Sequence, residues 1–576
     1  MLLRRSAATT SGTHPWWRDA VVYQIYVRSF SDANGDGRGD LAGVIERLDY
    51  LAELAIDAIW LTPCYPSPQL DHGYDVSDYF DIEPMYGDLS TFDHLVAAAR
   101  QRGIRVLMDV VPNHCSDRHG WFQAALGSPR GSRERERFWF RDGTGEHGEL
   151  PPNNWKAVFG GPAWSRITEP DGAAGQWYLH TFTPWQPDFD WHHPDVVELF
   201  DAMLRFWFDR GVDGFRVDAV TVVGKEPSLP DAPPAAPGTA ETDVWAHNPY
   251  TVFWPAAHDY WRHWRALIDA YEDHHPGRSL VTVSEAYTPR RPDLLLSYVQ
   301  PDQFHQSFCF DLMLSPWHAG LIREAVSSVY DVLSAAGATM TWTLNNHDTQ
   351  RAVTRYGRAD AHLPGSWTGS NLVYTGAPVD LEIGTRRARA MVVFVAALPG
   401  SLYLYQGEEL GLPEVLDIAD DARQDPIFIR TQGREIGRDG CRVALPWTAD
   451  PADAFGFSPG AGAAVTPWMP QPADWGRWSV SEQVDDRASM LSLYRQLIAT
   501  RKVLDPLAPL EWLMPESAEV VAFRRGDVTV VMNVSARDVV LPAAMVDRAE
   551  PMLSSDAGPW DVVTVPADSC VWLRDG

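Results

Sequence analysis

The sequence predicts an α/β fold: a (β/α)8 TIM barrel with a subdomain inserted after the third strand and an antiparallel β domain at the C-terminal end. Short apolar runs alternate with amphipathic helical stretches, which is typical of βα units around a parallel sheet. These runs end in charged or polar residues, and a different pattern follows residue 503. We therefore expect the barrel in residues 1–111 and 186–503, the inserted subdomain in 112–185 and the β domain in 504–576.

The predicted barrel strands are the apolar, β-rich runs. Helical periodicity near 40–54 and 90–102 separates the first three of them. The runs are VVYQIYV at 21–27, AIWLTP at 58–63, IRVLMDVV at 104–111, GVDGFRVDAV at 211–220, SLVTVSEAY at 279–287, ATMTWTLNNHD at 338–348 and SLYLYQGEEL at 401–410.

Three further stretches complete the predicted architecture. Residues 112–185 are rich in Gly, Pro and aromatic residues and have little helical periodicity, as expected of an excursion from the third strand. Residues 226–243 are rich in Pro and Ala, which indicates a surface loop near the barrel mouth or a plain tether. After a helix near 486–502, the runs EVVAFRRG, VTVVMNVSA and DSCVWLRDG predict antiparallel strands.

Charge and composition exclude several classes of partner. The 77 acidic and 48 basic residues give a net charge of −29, which repels phosphate backbones and anionic membranes. The five cysteines are scattered and form no C-x-x-C pair, so we expect reduced thiols and no zinc site. We find neither a secretory h-region nor an 18-residue apolar run and expect a cytoplasmic protein, monomer or homodimer, without nucleic-acid or membrane partners.

Carboxylates stand at the ends of the predicted strands, where the reacting groups of a (β/α)8 barrel lie. Glycoside hydrolysis needs two carboxyls beside the anomeric carbon. Arg216 and Asp218 alternate along one strand and share a face, so Arg216 is expected to keep Asp218 ionised. The apolar context VTVSEAY is expected to keep Glu285 protonated, and Asp348 follows His347 as a third carboxylate.

Four ordered motifs resemble the conserved regions of the α-amylase family. They are DVVPNH at 109–114, GFRVDA at 214–219, Glu285 in VSEAY and NHD at 346–348. The opening WWRDAVVYQIYVRSFSDANGDGRGDLAGV, with DHGYDVSDY, QPDFDW and LYQGEELGLPE, is similar to the α-glucosidase and oligo-1,6-glucosidase branch of that family. This resemblance covers nearly the whole chain.

The resemblance implies a role for each matching residue. Asp218 would be the nucleophile, Glu285 the acid/base and Asp348 the stabiliser of the transition state. The residues that would hold or line the pocket for a non-reducing glucose are Asp75, Tyr74, His114, Arg216, His347, Arg442, Phe159, Phe182 and Gln186.

The resemblance implies a retaining, exo-acting α-glucosidase that hydrolyses terminal α-linked glucose from a small α-glucoside or oligosaccharide. Ala219 after the nucleophile is the residue that accompanies α-1,4 substrates in this branch. The alternatives are an oligo-1,6-glucosidase and a transglycosylase or isomerase such as trehalose synthase. A transporter heavy chain, which lacks the carboxylates and has a membrane helix, is disfavoured because all three carboxylates are present.

The loop DANGDGRGD at 32–40 places oxygens at alternate positions, like the start of a calcium loop, although such loops are also ordinary turns. The resemblance favours a structural Ca²⁺ here. Its site would consist of Asp32, Asn34, Asp36, Arg38 and Asp40. The chemistry calls for no organic cofactor.

Overall fold

The computed structural model describes residues 14–236, 243–363, 367–368, 371–372, 376–459, 465–558 and 560–575. Eight parallel strands form a nearly closed barrel in which each strand pairs with the next in sequence except the sixth with the seventh, and the eighth returns to the first. The strands are β1 (Val21–Ile25), β2 (Ala58–Leu61), β3 (Arg105–Val110), β4 (Gly214–Val217), β5 (Val281–Ser284), β6 (Gln306–Ser307), β7 (Thr341–Thr343) and β8 (Ser401–Tyr405). Between β6 and β7, the Cys309 amide donates to the Thr341 carbonyl at 3.0 Å.

Helices surround the barrel and bury one face against it. Asp88 and Asp380 cap the first turns of two of them by accepting backbone N–H groups. The principal helices are Leu41–Glu46, Leu48–Glu53, Leu89–Gln101, Pro194–Asp209, Ala257–His274, Pro292–Tyr298, Ala319–Ala335, Leu381–Ala397 and Met490–Arg501. Shorter helices are Val244–His247, Phe310–Met313, Ala352–Gly357, Pro426–Thr431, Val480–Gln483 and Ala543–Val546.

The excursion between β3 and β4 contains helices Gly120–Gly127 and Arg133–Glu136 and an antiparallel sheet. Its strands are Phe140–Arg141, Trp164–Thr168 and Ala174–Leu179. The prediction of little helical periodicity overlooked both helices, which are only 8 and 4 residues long and too short to give a clear period. Buried tryptophans, Trp139, Trp155 and Trp164, form a separate small core here.

The C-terminal domain is an antiparallel sheet, as predicted. Its strands, in spatial order, are Leu510–Leu513, Val520–Arg525, Val528–Asn533, Ser569–Arg574 and Glu550–Ser554, and a second pair joins Val539–Val540 to Thr564–Val565. The sheet packs on the barrel helix Leu381–Ala397. The Trp572 indole donates to the Val393 carbonyl at 2.9 Å, and Phe394 meets Phe523 edge to face at 5.5 Å.

Two buried arginines lie at this boundary, and their described hydrogen bonds go to backbone carbonyls; Arg525 crosses it, whereas Arg501 belongs to the barrel helix Met490–Arg501. Arg525 donates to the carbonyls of Ala397 (2.9 Å), Leu398 (3.1 Å) and Asp505 (2.9 Å). Arg501 donates to the carbonyls of Ala396, Leu398 and Gly400. Burial lowers the pKa of Arg525 to about 9, with repulsion from Arg501 adding to the effect. These guanidinium groups therefore satisfy backbone carbonyls where the barrel and the C-terminal domain meet.

The predicted strands are confirmed within a few residues, and two elements of the structure differ from the prediction. The sixth strand, Gln306–Ser307, was not predicted, and the helix expected near 40–54 is two helices that meet at Arg47. The loop predicted at 226–243 has no regular structure up to residue 236, and residues 237–242, like the first 13 residues, lie outside the described ranges. All five cysteines are buried and unpaired. No described helix is long and apolar enough to cross a membrane.

Candidate active site

A cavity of about 780 Å³, its mouth included, opens at the carboxyl ends of the barrel strands. Its lining contains both polar and apolar residues. The polar and charged ones include Asp71, Tyr74, His114, His347, Asp348 and Arg438. The apolar and aromatic ones are Val158, Phe159, Phe182, Ala219, Trp245, Tyr287, Phe310 and Met313. Asp218 and Glu285 also line the cavity, at the end of β4 and just past the end of β5.

Arg216 lies between three carboxyl groups, those of Asp109, Asp218 and Glu285. It lies on β4 one alternation before Asp218 and is 2% exposed. One of its terminal nitrogens contacts Asp218 at 2.6 Å and Asp109 at 3.0 Å, and the other contacts Glu285 at 2.6 Å. A single buried guanidinium thus holds three carboxyls, and it brings the two expected catalytic groups side by side.

Burial and the shared arginine act on these carboxyls in opposite directions. Burial raises the pKa of Asp218 well above its usual range, and Arg216 opposes that rise only in part because it is shared. Burial also raises the pKa of Glu285, the direction expected from its apolar context, and raises that of Asp109 to about 7. That Arg216 keeps Asp218 ionised stays a prediction.

The residue after Asp218 is held in a strained conformation. Ala219 has φ +45° and ψ +38°, in the left-handed region that non-glycine residues seldom adopt. The Ala219 N–H donates to the Glu285 carboxyl at 3.0 Å, and the Asp218 amide donates to the backbone carbonyl of Val110, at the end of β3, at 2.9 Å. The backbone turn therefore fixes both carboxyl groups relative to β3 and β4.

Asp348 is contacted by two arginines and a histidine. Arg438 contacts it at 2.9 Å, Arg442 at 3.1 Å and the His347 ring at 3.3 Å. Burial raises its pKa, but these neighbours outweigh burial and lower it below the usual range. Burial lowers the pKa of His347 as well, so the two arginines supply the positive charge. Asp348 is therefore the carboxylate of the site that stays ionised.

Tyr74 connects the two groups of charges. Its hydroxyl contacts the His347 ring at 2.7 Å and donates to Asp109 at 3.0 Å. Its ring stacks parallel to that of His347, with centroids 5.3 Å apart. His114 lies beyond it, packs against Phe182 at 4.9 Å and has a pKa lowered to about 4 by burial. These ring contacts hold Tyr74, His347 and His114 in place among the polar lining residues.

The structure corrects one predicted residue, Asp75, whose side chain does not face the cavity. Its carboxyl is fully buried and accepts hydrogen bonds from the Ser67 hydroxyl (2.8 Å) and the amides of Leu70 (2.9 Å) and Asp71 (3.1 Å). Asp71, four residues earlier, faces the cavity instead. The turn between them passes through the left-handed residues His72 and Gly73, and this reversal decides which aspartate points inward.

Arg438 was also missed by the sequence analysis. It lines the cavity and contacts Asp71 at 3.2 Å and Asp425 at 2.6 Å in addition to Asp348. The predicted Arg442 lies behind it, 1% exposed, and donates to the His347 carbonyl at 2.8 Å. The signal for Arg438 was the first of the two arginines in GRDGCR at 437–442, four positions before Arg442.

The other predicted residues fall into two groups. Tyr74, His114, Phe159, Phe182 and His347 line the cavity. Arg216 and Gln186 support it from behind, since Gln186 donates to Asp71 at 2.9 Å. The structure thus brings together the predicted residues except Asp75, and their individual roles stay predictions.

The predicted calcium loop is held by its own hydrogen bonds. The Asp32 carboxyl accepts from the amides of Gly35 (2.6 Å) and Gly37 (2.8 Å), and Asp40 caps the following helix at Gly43 (2.6 Å). Asn34 and Asp36 accept from the amides two residues later, those of Asp36 and Arg38. The oxygen donors suit Ca²⁺, but the described residues include no group of three or more His, Cys, Asp or Glu that could hold a metal.

Comparisons with known proteins agree with this geometry. The model of the α-amylase catalytic domain matches residues 24–508. The chain is 32% identical over 523 residues to the oligo-1,6-glucosidase of Parageobacillus thermoglucosidasius, covering 85% of this chain and 84% of that protein. It is 33% identical over 547 residues to the trehalose-6-phosphate hydrolase of Escherichia coli (strain K12), covering 88% of each.

Solved structures give the same picture. An alpha-glucosyl transfer enzyme superposes with a TM-score of 0.82 at 33% identity, covering 98% of this chain and 100% of that one. The isomaltulose synthase of Klebsiella sp. LX3 superposes with a TM-score of 0.82 at 27% identity, with the same coverage. Hydrolases and glucosyl-transferring enzymes are both similar to this chain.

Proposed function

Since this chain belongs to the α-amylase family of glycoside hydrolases, we propose that it is a retaining α-glucosidase that releases one terminal, non-reducing α-linked glucose at a time. The observation that carries the proposal is the placement of Asp218 and Glu285 on the two terminal nitrogens of Arg216, within a walled cavity. Maltose-like oligosaccharides are the proposed substrates.

The arrangement supports a double-displacement mechanism. Retaining glycosidases hold their two carboxyls about 5–5.5 Å apart, whereas inverting enzymes leave about 6.5–9.5 Å for a water molecule. Two carboxyls on one guanidinium match the shorter separation. In the first step Asp218 attacks the anomeric carbon and Glu285 gives its proton to the leaving oxygen. In the second step Glu285 takes a proton from water, which displaces Asp218.

The remaining charges suit the glucose that is cleaved. Asp348, ionised beside Arg438 and Arg442, faces the cavity where positive charge develops on the sugar ring in the transition state. Asp71 and His114 add polar atoms for sugar hydroxyls. By the resemblance to the α-glucosidase branch, these residues close the pocket around one glucose, which favours release from the chain end over internal cleavage. Ala219, beside Glu285, favours α-1,4 over α-1,6 linkages by resemblance to the branch.

The cavity does not favour phosphorylated sugars, although a trehalose-6-phosphate hydrolase is among the similar proteins. Arg438 is the one Lys or Arg among the described lining residues. Its guanidinium already faces Asp71, Asp348 and Asp425. With no cation to spare, a phosphate would be repelled by the carboxylates. We therefore propose neutral substrates.

The test is a time-resolved product assay on maltose, isomaltose, trehalose and sucrose, with NMR reading the anomer of the first glucose released. We expect early α-glucose from maltose for the wild type and none for Asp218→Ala. Early β-glucose would contradict the retaining mechanism. New disaccharides without net hydrolysis would instead favour the isomerase candidate, which the similarity to glucosyl-transferring structures keeps in view.

We further propose that the loop at 32–40 binds a structural Ca²⁺. Its support is the chemistry of the donors: Asp32, Asn34, Asp36 and Asp40 offer oxygens at alternate positions, and Arg38 adds a backbone carbonyl. The ion would hold the segment between β1 and the first barrel helix. It would take no part in the reaction.

A further inference from the structure

Gln24 is a buried residue of β1 and is not among the described residues that line the cavity. Its side-chain nitrogen, Nε2, lies 2.6 Å from the Nδ1 atom of the His347 ring. Its side-chain oxygen has no hydrogen-bond partner among the described residues. The contact with His347 therefore decides how this amide is oriented.

The other nitrogen of the His347 ring, Nε2, faces two oxygen atoms that accept hydrogen bonds. One belongs to the Asp348 carboxylate, 3.3 Å away, which stays ionised and has no hydrogen to give. The other is the Tyr74 hydroxyl, 2.7 Å away, which already donates its hydrogen to Asp109 at 3.0 Å. The Nε2 atom of His347 therefore carries a hydrogen.

The Nδ1 atom of His347 carries none, because the ring is neutral. Burial lowers the pKa of His347 well below its usual range, and the nearby arginines outweigh Asp348, which raises it. A neutral imidazole has one N–H group, so Nδ1 is an acceptor and needs a donor. The charged and titratable groups around this ring are Tyr26, Tyr74, Asp109, Arg216, Asp348, Arg438, Cys441 and Arg442.

Aromatic side chains hold the His347 ring in this orientation. Tyr74 stacks parallel to it with centroids 5.3 Å apart, and Tyr26 lies against it at 6.0 Å. Trp60, the neighbour of Gln24 on β2, meets the ring edge to face at 6.2 Å. The ring is thus fixed on its faces by packing and at its two nitrogens by hydrogen bonds.

We propose that Gln24 is a positioning residue whose amide N–H keeps the hydrogen of His347 on Nε2, where it binds Asp348. The proposal rests on the α-glucosidase activity proposed above, in which Asp348 stabilises the transition state. With the hydrogen on Nδ1 instead, a bare Nε2 would face the ionised carboxylate, and both groups would offer only lone pairs. Asp348 would then turn away or take up a proton, and its charge would be lost to the sugar ring.

The variant Gln24→Glu separates this role from packing, because a carboxyl has the shape of the amide but donates only when it is protonated. At low pH the new carboxyl and His347 share an extra proton, so Nδ1 is satisfied and Nε2 keeps its hydrogen. As the pH rises and that proton is lost, the ring hydrogen moves to Nδ1. We expect kcat/KM on maltose, relative to the wild type at each pH, to fall roughly tenfold or more across this titration.

Two further variants are compared in the same assay. Gln24→Met has a similar length and no donor, so it should lower kcat/KM roughly ten- to a hundredfold with no such pH dependence. Gln306→Glu is the matched control in β6, where the buried amide donates to the Trp17 carbonyl at 3.0 Å and the Ser401 hydroxyl at 2.9 Å. Its activity relative to the wild type should not change with pH.

Neutron diffraction from deuterium-exchanged crystals of the wild type reads the hydrogen positions directly. We expect deuterium on Nε2 of His347, none on Nδ1, and the Gln24 nitrogen towards the ring. Deuterium on Nδ1 overturns the proposal, and so does a flat pH ratio for Gln24→Glu while the wild type hydrolyses maltose. If no α-glucoside is cleaved, the α-glucosidase proposal falls and the neutron result alone decides whether Gln24 places this hydrogen.

Discussion

The pair Asp71 and Asp75 offers a direct test of the site, because the two aspartates lie four residues apart and the structure gives them opposite roles. Asp71 faces the cavity and contacts Arg438, whereas Asp75 is buried beneath the turn. Replacing each with Ala should therefore damage activity in one case and stability in the other.

For Asp71→Ala, we expect the loss of one hydrogen bond from a sugar hydroxyl to a carboxyl. Such a bond to a charged group contributes about 1.5–3 kcal/mol, which corresponds to a fall in kcat/KM of roughly 13- to 160-fold. Arg438 keeps Asp348 and Asp425 as partners and the Gln186 amide keeps its contact with the His114 ring, so the melting temperature should change less than for Asp75→Ala.

For Asp75→Ala, the Ser67 hydroxyl and the amides of Leu70 and Asp71 lose their acceptor. Leu70 is 45% exposed and can turn to water, which leaves two buried donors at about 1–3 kcal/mol each. Burial raises the pKa of Asp75 to about 7, so its removal also relieves an unfavourable buried charge. We expect the lower end, about 2–3 kcal/mol, and a melting temperature lower by about 2 °C in a chain of this length.

The assay is kcat/KM on maltose together with a thermal melt for the wild type and both variants. The reasoning is refuted if Asp75→Ala lowers kcat/KM a hundredfold at an unchanged melting temperature while Asp71→Ala behaves like the wild type. That outcome would restore the assignment made from the sequence and would mean that the turn at His72 and Gly73 is wrongly oriented.

Three other predictions follow. Because burial raises the pKa of Glu285, kcat/KM should fall as the pH rises through that raised value. In a pH–rate profile, Glu285→Gln should abolish this fall at high pH and lower the rate of alkyl-glucoside hydrolysis by about 10²–10⁴. Arg525→Leu removes a donor from three carbonyls, of which that of Leu398 keeps Arg501 and that of Asp505 keeps the Ala508 amide, so urea unfolding should show a loss of about 1–3 kcal/mol, and an unchanged midpoint would count against it. A chelator should lower the melting temperature of the wild type but not of Asp36→Ala; equal responses would speak against the proposed Ca²⁺.

The barrel was predictable because each strand leaves a local trace in the sequence: an apolar run that stops at a polar residue. Strand β6 left none, since Gln306–Ser307 is two polar residues long and lies in a barrel wall that only its neighbours define. The inserted helices and the division near Arg47 escaped for the same reason. Short segments follow tertiary packing more than their own periodicity.

The site was predictable where its residues occupy strands and unpredictable where they occupy turns. Arg216 and Asp218 share a face of β4 because of the strand period, which the sequence shows directly. Arg438 reaches Asp71 across 367 residues of sequence, from a segment next to the single-turn helix Asp439–Cys441. The shared guanidinium of Arg216 likewise depends on three strands meeting, so the pKa of Asp218 could not be inferred from its neighbour alone.

The seam between the barrel and the C-terminal sheet also bears on how the chain is made. Helix Leu381–Ala397 is buried along most of its length, and one side of it is covered by strand Ser569–Arg574, which is synthesised well after the helix. Until that strand arrives, the helix exposes apolar surface, and the carbonyls at its end lack Arg525. The nascent barrel therefore stays prone to aggregation until the C-terminal sheet has been made, and truncation near residue 503 should cost solubility before it costs catalysis.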